Sequence, residues 1–209
     1  MIYYPVQTLV NAGITEVLIV VGGPHAGHFI NVFRNGNEFG LKKVEYAFQD
    51  ENRKGISDAI LYGESFADGQ SVAVILGDNT TDADISDDVK NFNSGAKIFL
   101  KRVNNPERYG VPVFNKKGLI SEIQEKPKHP KSDYAVTGLY LYDNKVFNFI
   151  KSLKPSARGE FEVTDLNNTY INLGEMRHSI LKGYWSDAGT FDSLYESNRY
   201  WSKKNKRNK

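Results

Sequence analysis

Apolar positions in the first third of the chain alternate between helical and strand spacing. From Ile2 to Val10 they recur every three or four residues, which predicts an amphipathic helix. EVLIVV at 16–21 is a short continuous apolar run that predicts a buried strand. The alternation continues with a helix after Pro24, a half-covered strand at KVEYAFQ, a helix from Ile56 and a strand at VAVIL. This order predicts βα units.

The second half is richer in β patterns. YGVPVFNKKGLISEIQEKP predicts two strands around the turn NKKG, and YAVTGLYLYD predicts a third. The pattern then predicts helices at KVFNFIKSL and VTDLNNTYINLG and a strand at HSILKGYW. It ends with a helix that has Thr190 as its N-cap. The fold class predicted is α/β, with a doubly wound, mostly parallel, Rossmann-like sheet and a β-rich insertion. No linker divides the chain, so 1–209 is expected to form a single domain.

Composition narrows the class of protein. The chain has 209 residues, of which 40% are hydrophobic and 25% charged, as in globular proteins with one substantial core. No run approaches the roughly 18 apolar residues of a membrane span, and no signal peptide is evident. We therefore expect a cytoplasmic protein that does not bind membranes. The absence of cysteine excludes disulfides and thiolate metal sites.

The charge is concentrated at one end. The formal net charge is +2, but five basic residues lie in the tail KKNKRNK at 203–209, and the rest of the chain is net negative. No basic stripe with interleaved aromatic residues remains elsewhere, so we expect no nucleic-acid binding. We interpret the basic tail as a frayed, solvated terminus.

One carboxylate stands where ligands bind in α/β folds. In SVAVILGDNTTD the apolar run ends at Gly77 and is followed by Asp78. In open α/β sheets ligands bind outside the carboxyl ends of the strands, where Asp78 would offer an oxygen ligand. The simpler interpretation of GDN alone is a turn, because Asp and Asn favour turns and caps.

Six motifs, taken in order, indicate a family. The chain resembles the sugar-1-phosphate nucleotidyltransferases in six motifs: LGDN at 76–79, ERYGV at 107–111, EKP at 125–127, VTGLYLYD at 136–143, RGEFEVTDLNN at 158–168 and WSDAGTFDSL at 185–194. Within them the resemblance is strongest to the glucose-1-phosphate thymidylyltransferases, and it extends from the first residues to about Tyr200. Any one tetrapeptide is weak evidence, whereas six in the right order are strong evidence.

The resemblance implies nucleotidyl transfer. A phosphate oxygen of a sugar 1-phosphate attacks the α-phosphorus of a nucleoside triphosphate, and pyrophosphate leaves. Mg²⁺ needs only one or two carboxylates in addition to substrate phosphates. Asp78 and Asp187 match the two metal-binding aspartates of the family and are our candidate Mg²⁺ ligands and catalytic residues.

The sugar side is also implied residue by residue. Lys126 matches the catalytic lysine that contacts the sugar phosphate, and Glu125 matches a carboxylate that accepts hydrogen bonds from sugar hydroxyls. Tyr109 and Gly110 match the pair beside the hexose. Four more positions match residues used around the sugar and its phosphate: Val136, Tyr140, Arg158 and Glu160.

Each of these residues also has a purely structural interpretation. Lys126 could lie on a solvated face, and Val136 and Tyr140 could belong to the core. Arg158 could pair with Glu160 on the surface.

The nucleotide side carries fewer matches. Gln49 matches the base-reading glutamine, and Gly55 matches a glycine packed against the base. The loop DENRK between them lacks the usual proline, and Asp58 stands where thymidylyltransferases often have glutamine. Both dTTP and UTP therefore remain possible donors.

The beginning of the family pattern is absent from this sequence. Members begin with a strand, a GGxGTR loop that holds the triphosphate, and then a lysine, whereas this chain contains no G-x-G anywhere. We interpret the chain as N-terminally incomplete, with the first βα unit missing through truncation or real loss. One interpretation is an enzyme whose sequence here lacks that unit and which is inactive without it. The other is a non-catalytic relic that binds sugar phosphate or sugar nucleotide, or that acts as an interaction subunit. Retention of both aspartates favours the enzyme. A homo-oligomer is expected.

Overall fold

The structure is a computed structural model that describes residues 1–24, 26–50, 55–156 and 158–207. Its helices are α1 (Tyr3–Asn11), α2 (Ala26–Phe33), α3 (Ile56–Leu61), α4 (Glu64–Ala67), α5 (Ser86–Lys90), α6 (Val146–Ser152), α7 (Val163–Asn172) and α8 (Phe191–Arg207). Its strands are β1 (Glu16–Val21), β2 (Lys43–Phe48), β3 (Val72–Ile75), β4 (Asn79–Thr81), β5 (Ala96–Arg102), β6 (Gly110–Phe114), β7 (Ile120–Glu125), β8 (Tyr134–Tyr142), β9 (Met176–Ile180) and β10 (Trp185–Asp187).

The N-terminal third folds as the hydrophobic pattern predicts. Strands β1 and β2 pair in parallel, with Val17 opposite Val44. The apolar stripe of α1 packs on Val17 and Ile19 of β1, and Phe33 of α2 joins the same cluster. The period-3.6 stripe and the apolar strand therefore meet in one core, as in a βα unit.

The central sheet is mixed, which differs from the mostly parallel sheet expected. Its strand order is β3-β8-β5-β9, and β8 runs antiparallel to both β3 and β5, while β5 and β9 are parallel. The chain enters β8 from the β6–β7 hairpin, so β8 begins at the end of the sheet where β5 finishes and must run back. Continuous apolar runs fit such a strand because it is covered on both faces.

The predicted strand HSILKGYW is divided into two strands in different sheets. Strand β9 ends at Ile180, and β10 starts at Trp185 and pairs antiparallel with β4. Gly183 between them has φ +77°, and the carboxylate of Asp82 lies where a β-carbon would be. The left-handed turn breaks the strand because only glycine takes this conformation without strain.

The β-rich insertion is present as an antiparallel hairpin. Strands β6 and β7 enclose the predicted NKKG turn, and Gly110 pairs with Glu125. The side chain of Asn168 on α7 accepts a hydrogen bond from the Ile123 amide at 2.8 Å and donates to its carbonyl at 2.9 Å. These two bonds fix α7 against β7.

The last helix is longer and better anchored than expected. The Ser193 amide donates to the Thr190 hydroxyl at 3.2 Å, which confirms Thr190 as the N-cap. Helix α8 continues to Arg207, so the basic tail is helical over most of its length. Across the described residues, we find no helix with the length and apolar character needed to cross a bilayer.

Candidate functional site

Asp78 and Asp187 lie side by side. Asp78 follows β3 and immediately precedes β4, while Asp187 is the last residue of β10, whose pairing places it opposite Asn79. A β-carbon built on Gly189 would lie 3.0 Å from Asp187 Oδ1 and 3.3 Å from Asp78 Oδ2, so both carboxylates face one point. The absence of a side chain at Gly189 leaves this space open.

Asn79 holds the aspartate pair in position. Its amide donates to Asp78 Oδ1 at 2.9 Å. Its oxygen accepts hydrogen bonds from the Gly138 amide at 2.8 Å and from the Trp185 indole at 2.9 Å. Because β4, β8 and β10 are joined through this one side chain, the Asp78 carboxylate has a fixed direction.

The surroundings of Asp187 suit a cation. Burial raises the pKa of Asp187, and the neighbouring charge of Asp78 raises it further, while the Gly189 amide, Arg108 and Lys126 act in the opposite direction. Two adjacent carboxylates are hard oxygen donors of the kind that Mg²⁺ uses together with substrate oxygens. Among the residues described there is no group of three or more candidate ligands, so the protein's own contribution would be this pair.

The β6–β7 hairpin brings the sugar-side residues to the aspartates. The Lys126 amide donates to the Tyr109 carbonyl at 3.0 Å, and the Tyr109 ring meets the Trp185 ring edge-on at 5.6 Å. Burial raises the pKa of Tyr109, with Arg108 opposing and Asp187 adding to the effect. Tyr109 and Lys126 therefore lie beside Asp187.

Glu125 is held by α7. The Thr164 hydroxyl donates to Glu125 Oε2 at 2.7 Å, and a β-carbon on Gly110 would lie 3.6 Å from that same carboxylate oxygen. The Lys126 ammonium is 3.9 Å from the other oxygen, Glu125 Oε1. Gly110 thus leaves the approach to Glu125 clear.

Arg158 has a different partner from the one suggested by the sequence. Its guanidinium pairs with Glu162 at 2.9 Å rather than with Glu160, and it lies 3.8 Å from Glu125 Oε1. Glu160 is close enough for its charge to raise the pKa of Arg158, after the larger effect of Glu162. Arg158 and Glu160 therefore border the Glu125 side of the site.

Tyr140 and Val136 form the inner wall. Tyr140 is buried and stacks on Tyr142, and Val136 packs on the same core cluster. Burial raises the pKa of Tyr140 strongly, and the charges of Glu125 and Asp78 add to that effect. Both residues belong to the core, and Tyr140 is near enough to Glu125 and Asp78 for both charges to act on it.

Gln49 and Gly55 come together on the nucleotide side. The Gln49 amide donates to the Gly55 carbonyl at 3.2 Å and to Asp58 Oδ2 at 3.0 Å. The Ser57 amide donates to the Phe161 carbonyl at 3.2 Å, which connects this group to the 158–162 loop. Residues 51–54, which include most of the unusual loop, lie outside the described residues.

Two positioning residues escape sequence reasoning. Asn79 lies inside the motif LGDN and Thr164 inside RGEFEVTDLNN, but their roles depend on partners far away in the chain. The only available signal was their place in a motif.

Comparison with known proteins identifies the family. The nucleotidyl transferase family matches residues 1–204. A glucose-1-phosphate thymidylyltransferase of Neisseria meningitidis is 41% identical over 203 residues, which cover 94% of this chain and 70% of that protein. The corresponding protein of Mycolicibacterium smegmatis is 40% identical, with coverage of 96% and 70%.

Solved structures of related proteins have the same fold as this chain. A Bacillus anthracis protein named as a candidate glucose-1-phosphate thymidylyltransferase, in complex with sucrose, is 44% identical and superposes with a TM-score of 0.88 over 95% of this chain and 81% of its own. A UDP-glucose pyrophosphorylase at 23% identity and TM-score 0.81 shares the fold.

Proposed function

This chain belongs to the nucleotidyl transferase family, and we propose that its site serves the transfer of a nucleotidyl group from dTTP or UTP to a glucose-like sugar 1-phosphate, with release of pyrophosphate. The observation that carries the proposal is the meeting of Asp78 and Asp187 beside the hairpin that bears Tyr109, Glu125 and Lys126. The relatives with the same printed activity support the reaction class. The cytoplasmic location and the homo-oligomer stay predictions.

In this proposal Asp78 and Asp187 hold Mg²⁺. When bound, the ion would neutralise charge on the phosphates and orient them. Asn79 keeps Asp78 directed at the site, and the Gly189 amide bonds Asp187 Oδ1 at 3.0 Å. The pair is therefore preorganised, which is the main way that proteins assist phosphoryl-type transfer.

The sugar 1-phosphate would bind on the hairpin side. Lys126 would neutralise its phosphate, and Glu125 would accept hydrogen bonds from ring hydroxyls. Tyr109 and Gly110 would border the sugar, while Tyr140 and Val136 form the floor. Arg158 and Glu160 would close the outer edge. Exclusion of water there would strengthen each charged contact.

The base would meet Gln49 and Gly55. The side-chain nitrogen of Gln49 donates its hydrogen bonds to the Gly55 carbonyl and to Asp58. We therefore assign the side-chain amide oxygen of Gln49 to accepting a hydrogen bond from the base. Thymine and uracil both present an N–H donor at N3, which fits such an acceptor.

The triphosphate is the part for which this chain supplies least. Without a G-x-G loop, we expect the 209-residue chain to bind a sugar nucleotide weakly and not to turn over. The second candidate function, binding without catalysis, rests on this same sequence feature.

Binding of dTDP-glucose or UDP-glucose, measured by calorimetry with and without Mg²⁺, tests the site. We expect Mg²⁺ to increase the affinity, and Asp78→Asn or Asp187→Asn to remove that increase. The exposed Asp133→Asn is the matched control and should bind like the parent. Equal affinity with and without Mg²⁺, or loss in the control as well, would refute the metal assignment.

A further inference from the structure

Asp58 lies in the first turn of α3 and is only 1% exposed. A buried carboxylate loses its hydration, so it needs hydrogen-bond donors from the protein in exchange. One donor is the side-chain nitrogen of Gln49, which lies 3.0 Å from Asp58 Oδ2. Asp58 is too buried to contact a bound base, so any effect that it has on the base acts through a neighbour such as Gln49.

The Gln49 side chain meets two groups that accept hydrogen bonds. Besides Asp58, its nitrogen donates to the Gly55 carbonyl at 3.2 Å. A carbonyl oxygen and an ionised carboxylate only accept hydrogen bonds, whereas a glutamine amide has an NH₂ end that donates and an oxygen end that accepts. The NH₂ end of Gln49 therefore faces both acceptors, and its oxygen end is turned away from them.

The Gly55 carbonyl is itself held in place. Gly55 has φ +104°, and a β-carbon there would lie 2.5 Å from the Phe161 carbonyl oxygen, so only glycine allows this close approach. The Gly55 carbonyl also accepts the first helical bond of α3, from the Ala59 amide at 3.3 Å. Both acceptors of the Gln49 amide therefore belong to the start of one helix.

Rotation of the Gln49 amide by half a turn would reverse its hydrogen-bonding pattern. The amide oxygen would then face the Gly55 carbonyl and the Asp58 carboxylate, which places three acceptors together without a donor. Leaving buried acceptors unpaired is costly. An amide side chain at position 58 would remove part of this cost, because its own NH₂ group can donate to the reversed Gln49. The carboxylate of Asp58 therefore favours one orientation of the Gln49 amide.

We propose that Asp58 is a positioning residue that fixes the Gln49 amide with its oxygen towards the base, and that it thereby selects bases with a donor at N3 over cytosine. The inference rests on the proposed function, because it requires Gln49 to meet the base. Uracil and thymine carry an N–H at N3 and suit the amide oxygen. Cytosine has an acceptor at N3 and would need the reversed amide.

The test compares the binding of UDP-glucose and CDP-glucose to the full chain and to Asp58→Asn, by displacement of a fluorescent sugar nucleotide. Asparagine has nearly the shape of aspartate but can bond either orientation of the Gln49 amide. We expect affinity for UDP-glucose to fall and affinity for CDP-glucose to rise, which reduces a preference of about tenfold to about threefold or less. General damage to the site would weaken both ligands, and the loss of a negative charge would strengthen both.

Two further variants separate positioning from simple support of the fold. Tyr62→Phe removes the hydroxyl that accepts a hydrogen bond from the Asp50 amide at 3.1 Å, which is another bond between the end of β2 and the α3 segment. This control should leave the preference for UDP-glucose unchanged. In a Gln49→Ala background, Asp58→Asn should no longer change the preference, because the residue through which Asp58 acts is gone.

Hydrogen exchange of the Gln49 side-chain NH₂ group, followed by NMR, tests the positioning without a ligand. We expect this exchange to be about tenfold or more slower than that of Gln7, whose hydrogen bond to Asn11 is exposed. The exchange should become faster in Asp58→Asn and stay unchanged in Tyr62→Phe.

The outcomes distinguish this inference from the proposed function. A preference that Gln49→Ala abolishes but Asp58→Asn leaves intact would overturn the inference alone. The same holds for NH₂ exchange of Gln49 that is equally slow in Asp58→Asn. A chain that binds no sugar nucleotide, or a preference that survives Gln49→Ala, would contradict the proposed function and overturn the selection of the base by Asp58 with it.

Discussion

Lys126 has a backbone φ of 44°, a left-handed conformation that lysine rarely adopts. Holding a non-glycine residue there costs about 1–2 kcal/mol, and such strain is often found at functional sites. We predict that Lys126→Gly leaves the fold equally stable or stabilises it by up to about 1 kcal/mol, yet weakens binding of the sugar nucleotide. Thermal unfolding and calorimetry measure the two effects separately.

Asp68 provides the control for this strain. Its φ is 46° at the exposed C-terminal end of α4, and it is not one of the site residues. Asp68→Gly should relieve similar strain without changing affinity, and Lys126→Ala should lower affinity without the gain in stability. If Lys126→Gly bound as tightly as the parent, the role assigned to Lys126 would be wrong.

Gln49 leads to a prediction about the base. Cytosine has an acceptor at N3 where uracil and thymine have a donor, so an amide oxygen facing it would leave two acceptors opposed. We predict that CDP-glucose competes about tenfold or more less well than UDP-glucose or dTDP-glucose, and that the last two compete about equally. Competitive displacement of a fluorescent sugar nucleotide measures this. Equal competition by all three would contradict the assignment of Gln49.

At the scale of elements, Asp82 connects α8 to the turn before β10. Its carboxylate accepts hydrogen bonds from the Tyr184 amide at 2.6 Å, from Lys204 at 2.7 Å and from the Tyr200 hydroxyl. Burial opposes ionisation, but the hydrogen bonds from Lys204, Tyr200 and Tyr184 together lower the pKa of Asp82 below its usual value. The charged form is therefore favoured in the folded state.

This lowered pKa predicts how stability depends on pH. A carboxyl group with a lower pKa in the folded state stabilises the protein above its unfolded pKa, and the stabilisation is lost as pH falls below about 4. We predict that Asp82→Asn costs about 1–3 kcal/mol at neutral pH and less at pH 3. Urea unfolding at both pH values tests this. Asp133→Asn, which removes an exposed pair with Arg102, should cost less than about 1 kcal/mol. An equal cost of Asp82→Asn at both pH values would contradict the prediction.

Long elements were predictable because their period is clear. EVLIVV coincides with β1, and YAVTGLYLY with β8. The short strands β4 and β10 were not predicted because three-residue stretches carry no measurable period, and their pairing joins residues about a hundred positions apart. The antiparallel direction of β8 likewise depends on the preceding hairpin and leaves no mark on the strand itself.

At the scale of the whole molecule, the site forms where separate parts of the chain meet. The resemblance and the ends of apolar runs predicted Asp78 and Asp187 as candidates, because those signals are local in sequence. The contributions of Asn79, Thr164 and Asp82 could not be predicted, because each depends on a partner brought near only by the tertiary fold.

Turnover by the 209-residue chain is also a property of the whole molecule, because it requires groups that hold the triphosphate. Charge on a triphosphate must be neutralised while its α-phosphorus is attacked, and loss of a single preorganised donor typically costs about 10²–10³ in rate. The 209-residue chain has no G-x-G loop, so we predict no pyrophosphate release above background from this chain alone. Clear turnover would mean that other groups, such as Arg53 and Lys54 outside the described residues, hold the triphosphate.

The proposal that Asp78 and Asp187 serve nucleotidyl transfer is tested most directly by pyrophosphate release from glucose 1-phosphate and dTTP or UTP with Mg²⁺. The protein assayed is this chain with a strand and a GGxGTR loop of the family pattern joined ahead of Met1. We predict turnover that falls by about 10² or more in Asp78→Asn and in Asp187→Asn, and that is retained in Asp133→Asn. A folded, loop-bearing chain that binds the sugar nucleotide but releases no pyrophosphate, or whose turnover is unchanged by either aspartate substitution, would contradict it.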